Sequence, residues 1–239
     1  MSSTKKNSTK RNPFDYYPTP AWCVHRLLEK ANIPVKPGAL WLEPAAGTGA
    51  IIKAVGSYQY IKKNGVTSIV TYKPNWYGVE IQAAFQPELE KEILQSRVLI
   101  EDFTQMSSSA FGITPQVIIT NPPFNKALEF IKKGIEMEAE YVCMLLRLNF
   151  LGSAERSTFM RENTPDIYVL PNRPSFTGKG TDSIEYAWFV WRKENDYGAA
   201  IQKPVSDAER CLVCSKPKKN LTPKLIILGD TTPEERKKS

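Results

Sequence analysis

Residues 116–124 read QVIITNPPF: a continuous apolar run, then a polar residue, two prolines and an aromatic ring. A run without alternation is typical of a parallel strand that is buried on both faces of a sheet. The two prolines hold the chain extended and lack N–H groups, so carbonyl oxygens stay free where the strand ends. Open α/β sheets bind ligands at that end of their strands. The stretch therefore predicts a parallel α/β fold with a binding site directly after this strand.

The four residues that follow the strand predict a site for a planar amine. The side-chain oxygen of Asn121 and the carbonyl of Pro122 can both accept hydrogen bonds from one NH₂ group. Pro123 stiffens the same turn, and Phe124 can stack on a flat ring beside that amine. A nucleobase with an exocyclic amine fits this pattern. The alternative interpretation is a proline-stiffened turn that only precedes a helix.

A second candidate site lies upstream, where residues 42–49 read LEPAAGTG. Glycines at a strand-to-helix turn let a ligand approach the backbone closely. The turn departs from the dinucleotide fingerprint, because its third glycine would fall at Ile52. A dinucleotide oxidoreductase is therefore disfavoured. Glu80 ends a further strand, and an acid at that place can hold a ribose diol.

The remaining pattern supports an α/β fold in which strands alternate with helices. Strands are predicted at residues 39–42, 77–81, 97–100, 116–120, 141–146, 167–170 and 186–191, and helices at 19–31, 50–62, 83–96, 126–138 and 153–163. The short segment between residues 170 and 186 is rich in Gly, Pro and Ser. It favours a hairpin, so we expect the last strand to be antiparallel. Residues 68–72 are one more strand candidate, without an assigned place.

Composition and charge narrow the function classes. The chain has 239 residues and a net charge of +7, with the basic excess in residues 1–14 and 203–239. Basic tails on a nearly neutral centre favour a polyanion partner such as nucleic acid, although tails that only aid solubility are the alternative. No run of eighteen apolar residues exists, and the N-terminus lacks an apolar signal region. We expect a cytoplasmic protein.

The cysteines and the single histidine predict no metal site. Four cysteines are too few for a disulfide scaffold, and Cys23 and Cys143 lie in apolar surroundings that are typical of a core. Cys211 and Cys214 form a CxxC pair in the basic tail, which is half of a zinc site. The alternatives for that pair are free thiols or a zinc ion shared by two chains. His25 is expected on the surface of the first helix.

Taken in order along the chain, these motifs resemble a known family. The glycine turn, Glu80, Asp102-Phe103 and the Asn-Pro-Pro-Phe turn follow successive strands, as in S-adenosylmethionine-dependent amino-methyltransferases, specifically the DNA adenine-N6 methyltransferases. Residues 15–20, DYYPTP, look like the cofactor-side motif of that family, and the motif order is similar to its gamma arrangement. Residues 173–178, RPSFTG, and 185–191, EYAWFVW, look like its phage-encoded members. The resemblance covers residues 14–192.

The resemblance implies a Rossmann-like, seven-stranded class I methyltransferase sheet with an antiparallel last strand. It implies a methyltransferase domain at residues 15–193, between a disordered basic tail at 1–14 and a basic C-terminal extension at 194–239. The implied cofactor is S-adenosyl-L-methionine. The implied partner is double-stranded DNA, which has to flip the target base out of its stack.

The resemblance also implies a role for each matching residue. Tyr17 and Thr19 line the methionine end of the cofactor; Glu43, Ala45 and Gly47 surround its amino group and sulfonium; Glu80 binds the ribose; Asp102 and Phe103 contact its adenine. The target amine is bound by Asn121 and Pro122, with Pro123 in the same motif, and Phe124 stacks on the flipped base. No separate recognition domain is visible, so the loop at residues 172–183 is expected to contact DNA. Its candidates are Arg173, Phe176, Lys179 and Asp182, and a merely flexible loop is the alternative.

The implied chemistry needs no histidine, because two acceptors aim the lone pair of the amine and the sulfonium is already a good leaving group. Three alternatives keep the chemistry and change the substrate: RNA bases, cytosine N4 or a protein glutamine. A further alternative is a non-catalytic nucleic-acid-binding module that retains the fold.

Overall fold

The structure is a computed structural model that describes residues 16–34, 36, 38–63, 67–176, 180–193 and 225–227. The strands are β1 (Leu40–Glu43), β2 (Gln59–Lys63), β3 (Thr67–Thr71), β4 (Asn75–Glu80), β5 (Val98–Ile100), β6 (Val117–Thr120), β7 (Tyr141–Arg147), β8 (Asp166–Val169), β9 (Tyr186–Arg192) and β10 (Leu225–Ile227). The helices are α1 (Ala21–Ala31), α2 (Ala50–Ser57), α3 (Gln86–Leu89), α4 (Ala127–Glu136) and α5 (Ala154–Glu162).

The main sheet has the order β10-β8-β9-β7-β6-β1-β4-β5. Strand β1 pairs in parallel with β4 on one side and with β6 on the other. The chain therefore builds one half of the sheet outward from β1 and then returns to start the other half beside it. The crevice outside the carboxyl ends of β1 and β6 is the topological switch point, where open α/β sheets bind ligands.

The predicted antiparallel last strand is confirmed. Strand β9 lies between β7 and β8 and pairs antiparallel with both. The seven predicted strands form one sheet, and β10 adds a short eighth strand parallel to β8 at its edge. This eighth strand comes from within the predicted C-terminal extension.

Both faces of the sheet are covered by hydrophobic packing. One cluster joins Ile119 to side chains of α1 and α2, and the other joins Ile118 to side chains of α4 and α5. These two neighbours point to opposite faces and are both fully buried. A strand in that position has to be apolar at every residue, which explains the unbroken run that the sequence shows there.

The predicted helix at residues 50–62 is wrong in its second half. Helix α2 ends at Ser57, and β2 and β3 then form a separate antiparallel pair. The strand candidate at residues 68–72 belongs to this pair. The sequence signal for it was the dipeptide Asn64-Gly65 between two β-prone segments, which is typical of a hairpin.

The predicted helix at residues 83–96 is also wrong for most of its length. The chain forms a 3₁₀ turn at Ala83–Phe85, the four-residue α3, and another 3₁₀ turn at Gln95–Arg97. Within α3 the buried side chain is Leu89. Without a longer apolar face to bury, the segment gains too little from packing to extend the helix.

In the parts of the chain that the structure describes, no helix has both the length and the apolar character that a membrane span requires. The predicted N-terminal tail and most of the C-terminal extension, with Cys211 and Cys214, lie outside the described residues.

Candidate active site

A cavity of about 900 Å³ opens at the switch point. Its walls come from the segment before α1, from the turns that follow β1, β4, β5 and β6, from the end of β7 and from the loop that precedes β9. These segments contribute most of the site residues predicted from the sequence: Tyr17, Thr19, Glu43, Ala45, Gly47, Glu80, Asp102, Phe103, Asn121, Pro122, Pro123, Phe124 and Phe176. The volume is of the order that a cofactor together with a substrate group requires.

Glu43 ends β1 and places an unsatisfied carboxyl group at the cavity. The residue is 2% exposed, and its Oε2 has no hydrogen-bond partner among the described residues. Burial raises its pKa well above the usual value, the backbone N–H of Ile52 lowers it, and the charge of Glu80 raises it further. A buried acid of this kind is suited to a cationic ligand group.

Glu80 and the glycine turn hold each other in place. The two carboxylate oxygens of Glu80 accept hydrogen bonds from the backbone N–H groups of Gly47, at 2.8 Å, and Gln82, at 2.9 Å. Gly47 has a φ of +52°, and a Cβ there would collide with the ring of Tyr16. The glycine therefore makes room for a side chain of this chain, whereas the sequence suggested that it made room for a ligand.

Tyr16 covers the glycine turn, and its neighbour Tyr17 packs against a different aromatic ring of the cavity. The hydroxyl of Tyr16 makes a short hydrogen bond with Thr48, and its ring packs 4.7 Å from that of Phe85. Tyr17 faces the ring of Phe176 at 6.1 Å. Both tyrosines line the cavity, and the role of Tyr17 at the methionine end of the cofactor stays a prediction.

Asp102 follows β5 and carries a basic partner. Its Oδ1 accepts from the N–H and hydroxyl of Thr104, and its Oδ2 pairs with Lys126 Nζ at 3.0 Å. The Thr104 side chain and Lys126 hold the pKa of Asp102 below its usual range against the effect of burial. Phe103 is 1% exposed and packs on Phe130, so its ring belongs mainly to the core.

Asn121 and Pro122 present two oxygens that no described residue uses. The Nδ2 of Asn121 donates to the backbone carbonyl of Tyr17 at 3.4 Å, which orients the amide with its Oδ1 on the other side. Neither this Oδ1 nor the carbonyl of Pro122 accepts a hydrogen bond within the described part of the chain. Two neighbouring free acceptors match the predicted site for an NH₂ group.

The stacking surface predicted at Phe124 is partly occupied. The guanidinium of Arg147, at the carboxyl end of β7, lies 4.3 Å from the centre of the Phe124 ring. The ring of Tyr186 lies 5.9 Å from it, tilted by 49°. A base that stacks on Phe124 therefore has to share this ring with Arg147.

The loop at residues 172–183 reaches the cavity with only part of its predicted residues. Phe176 packs at 5.2 Å from Tyr186, and Asp182 accepts a hydrogen bond from the Tyr186 hydroxyl at 2.7 Å. Arg173 does not line the cavity, because its guanidinium pairs with Glu185 at the surface. Lys179 lies outside the described residues.

Among the cavity residues that sequence reasoning missed, those whose polar or charged groups bear on the site are Tyr16, Lys126, Arg147 and Tyr186. Arg147 carried the clearest signal, since a charged residue that ends a buried apolar strand is the same pattern that identified Glu43 and Glu80. Lys126 lies just after the proline turn, at the start of α4.

His25 and the described cysteines take no part in the cavity. His25 Nε2 bonds the carbonyl of Ala54 at 2.9 Å, so the ring lies between α1 and α2 and not on the open helix surface that the sequence suggested. Cys23 and Cys143 are fully buried, as predicted. Burial raises the pKa of both thiols.

Several solved structures have a fold similar to that of this chain. A protein from Listeria monocytogenes assigned as a class I S-adenosylmethionine-dependent methyltransferase aligns with a TM-score of 0.50 at 15% identity, over 90% of this chain and 64% of that one. A dimethyladenosine transferase from Plasmodium falciparum aligns with a TM-score of 0.50 at 14% identity, over 74% of this chain and 62% of that one. The chain thus spans less than two thirds of either protein. No protein-family model and no curated protein sequence matches it.

The fold is therefore that of the class I S-adenosylmethionine-dependent methyltransferases, as predicted.

Proposed function

We propose that this protein transfers a methyl group from S-adenosylmethionine to the N6 amine of adenine in double-stranded DNA. The observation that carries the proposal is the pair of free acceptors, Asn121 Oδ1 and the Pro122 carbonyl, in a cavity that also holds the buried acid Glu43. The phage-type origin and the cytoplasmic location remain predictions from the sequence.

The cofactor half of the cavity fits the proposed ligand. Glu43 offers an unsatisfied buried oxygen to a cationic group, and Glu80 is fixed by two backbone N–H groups at the place where a ribose diol would bind. Asp102 keeps its negative charge beside Lys126 and can accept from an adenine amine. These are the residues that would hold S-adenosylmethionine.

The target half supplies position and orientation. Asn121 and Pro122 accept both N–H bonds of the amine, which draws its lone pair out of conjugation with the ring and toward the methyl carbon. Bound S-adenosylmethionine supplies that methyl on a sulfonium. With the cofactor bound, the amine nitrogen would take the methyl carbon from the sulfonium, whose sulfur–carbon bond would break, and would release one proton to solvent. Phe124, Phe176 and Tyr17 surround the place of the base with aromatic surface.

Nucleic acid is favoured over protein as the substrate. A flat, aromatic-walled pocket suits a base better than a flexible glutamine side chain. The basic excess of residues 1–14 and 203–239 suits a phosphate backbone. RNA and cytosine N4 remain the alternatives to be tested.

The test measures transfer of labelled methyl from S-adenosylmethionine to unmethylated duplex DNA, single-stranded DNA and RNA, followed by nucleoside analysis. Wild type is expected to form N6-methyladenine in duplex DNA. Asn121→Ala is expected to lose at least about a hundredfold in rate while calorimetry shows unchanged cofactor affinity, because the variant loses an acceptor only at the target. The matched control is Asn75→Ala. Asn75 lies at the start of β4, whereas the cavity residue Glu80 lies at its end.

Methylated RNA, or methylcytosine in DNA, would redirect the proposal to that substrate. Cofactor binding without transfer to any of the three nucleic acids would support the non-catalytic module.

A further inference from the structure

Arg147 is a basic side chain that lines the cavity beside the Asn-Pro-Pro-Phe turn. It ends β7, whose neighbour β6 leads directly into the Asn-Pro-Pro-Phe turn, and the two strands run in parallel. Its guanidinium rests 4.3 Å from the centre of the Phe124 ring, and its side chain is 18% exposed at the cavity. The cation is therefore held beside the place where a base on Phe124 would lie.

A short chain of hydrogen-bonded polar groups fixes the position of the Arg147 guanidinium. Its Nε donates to the hydroxyl of Tyr186 at 3.2 Å, and that hydroxyl donates to Asp182 at 2.7 Å. Tyr186 is fully buried, and burial raises its pKa to about 12, so it remains a donor at neutral pH. Asp182 lies 3.9 Å from Arg147 Nη2, which is too long for a hydrogen bond.

This arrangement leaves the outer nitrogens of the guanidinium for a ligand. Within the described residues, neither Nη1 nor Nη2 of Arg147 makes a hydrogen bond. Arg192, the other buried arginine of the sheet, uses its Nε and Nη2 on three protein acceptors. Arg147 thus keeps donors in a fixed position at the cavity, where an acceptor of a bound ligand can reach them.

The chemistry of the target identifies that acceptor. The amine of adenine lies between two ring acceptors, N1 and N7, whereas the amine of cytosine lies between N3 and a carbon. N7 is therefore the acceptor beside the amine that a purine has and cytosine lacks. A donor that reaches N7 while Asn121 and Pro122 hold the amine would select adenine.

We propose that Arg147 is a specificity-determining residue of the target pocket, whose guanidinium donates a hydrogen bond to N7 of the adenine that is methylated. The inference rests on the proposed function and adds the atom that is recognised. Phe124 supports the guanidinium through its ring, and Tyr186 and Asp182 keep it oriented toward the base.

The test compares two DNA substrates that need no knowledge of the target sequence. One is a long duplex made enzymatically with ordinary adenine, and the other has 7-deazaadenine at every adenine. The second substrate lacks only the N7 acceptor. We expect wild type to lose tenfold or more in kcat/KM on the 7-deaza duplex, because a charged donor is left unpaired.

Three variants test whether Arg147 is the residue that contacts N7. Arg147→Met is expected to lose tenfold or more on ordinary DNA and to show no further loss on 7-deaza DNA. Arg147→Lys, which keeps a cationic donor, is expected to recover part of that loss on ordinary DNA alone. Tyr186→Phe, which removes the hydroxyl that orients Arg147, is expected to behave like a weaker Arg147→Met. Calorimetric affinity for S-adenosylmethionine and the melting temperature serve as controls for folding.

Three results would overturn the inference while leaving the proposed function intact. The first is wild-type activity that is equal on both duplexes. The second is a loss in Arg147→Met that multiplies with the loss from 7-deazaadenine, which would mean that Arg147 contacts phosphate or another ring atom. The third is an unchanged rate in Arg147→Met. Failure of the wild type to methylate any DNA would instead refute the proposed function itself.

Discussion

At the scale of single residues, Glu43 shows how a binding site can oppose stability. Its carboxyl group is buried beside Glu80, and one of its oxygens has no partner in the described structure. An acid whose pKa is raised by folding is protonated in the folded protein at pH values where it is ionised in the unfolded chain. The contribution of Glu43 to the free energy of unfolding is fully present below its ordinary pKa, near 4.5. This contribution is lost as the pH rises through the pKa that Glu43 has in the folded protein.

This sign leads to a prediction for Glu43→Gln. In the free protein, the wild type should lose up to about 1.4 kcal/mol of unfolding free energy for each pH unit above 4.5 relative to the variant, until the folded pKa is reached. Denaturant unfolding between pH 5 and pH 9 measures this difference. Glu88→Gln, at an exposed site on α3, should show the same pH dependence of unfolding free energy as the wild type.

The same variant should bind S-adenosylmethionine about tenfold more weakly, because an amide cannot supply a charged acceptor to a cationic group. Parallel pH curves for wild type and Glu43→Gln would contradict the assignment of a raised pKa. Unchanged cofactor affinity would contradict the role of Glu43 in binding.

At the scale of elements, the turn between β1 and α2 depends on the conformation of Gly47. The residue has a positive φ, and the ring of Tyr16 fills the space where a side chain would start. The sequence predicted the turn correctly from its glycines and its position after a strand. It could not show that Tyr16, about thirty residues earlier, packs against this turn.

Two alanine substitutions in neighbouring parts of this unit should have opposite effects. Gly47→Ala should lower the unfolding free energy by about 1–3 kcal/mol, since it combines backbone strain with a collision, and should weaken cofactor binding. Gly56→Ala, inside α2 with open space around its Cα, should raise it by about 0.5–1 kcal/mol. Thermal unfolding of the two variants measures both changes. Equal losses of unfolding free energy in Gly47→Ala and Gly56→Ala would mean that the turn is not strained.

The two helices that were predicted too long fail for an element-scale reason. Periodicity alone cannot separate a helix from a short strand when the segment has few apolar residues. After Ser57, the segment with Tyr58, Tyr60 and Ile61 has the aromatic and β-branched residues of a strand, and β2 occupies most of it. The helices with a strong apolar face, α1 and α4, were predicted within two residues at each end.

At the scale of the whole molecule, Arg192 joins four parts of the fold. From the end of β9 it donates to Asp166 of β8 at 2.9 Å, to Tyr168 of the same strand and to the carbonyl of Ala31 in α1. It also lies 5.1 Å from the ring of Tyr141, at the start of β7. Asp166 and Arg192 expose only 7% and 11% of their side chains, so their charges depend on each other.

Removing one partner of this pair should be costly. Arg192→Met should lower the unfolding free energy by about 3–5 kcal/mol, because it removes the guanidinium that pairs with a buried carboxylate at 2.9 Å. Lys36→Met, which breaks the exposed pair with Glu140, should cost less than about 1 kcal/mol. Chemical denaturation measures both, and similar small losses would show that Asp166 is solvated in the folded protein.

The amino-acid pattern alone was enough to predict the strands of the main sheet, the turns that end them and the site residues on those turns. Continuous apolar runs, prolines and glycines act through the local backbone, so their consequences can be derived from neighbouring residues alone. Glu43, Glu80 and Asn121 were found because each directly follows or ends a strand.

The contacts between side chains across the cavity depend on how the strands are ordered and paired in the folded protein. Arg147 on Phe124, Lys126 with Asp102 and Tyr16 on Gly47 are contacts between residues that are 23 to 31 positions apart. Such contacts depend on strand order and register, which the hydrophobic period of one strand does not encode. The orientation of Arg147, and with it the proposed choice of base, follows from β9 lying against β7 and bringing Tyr186 beside it.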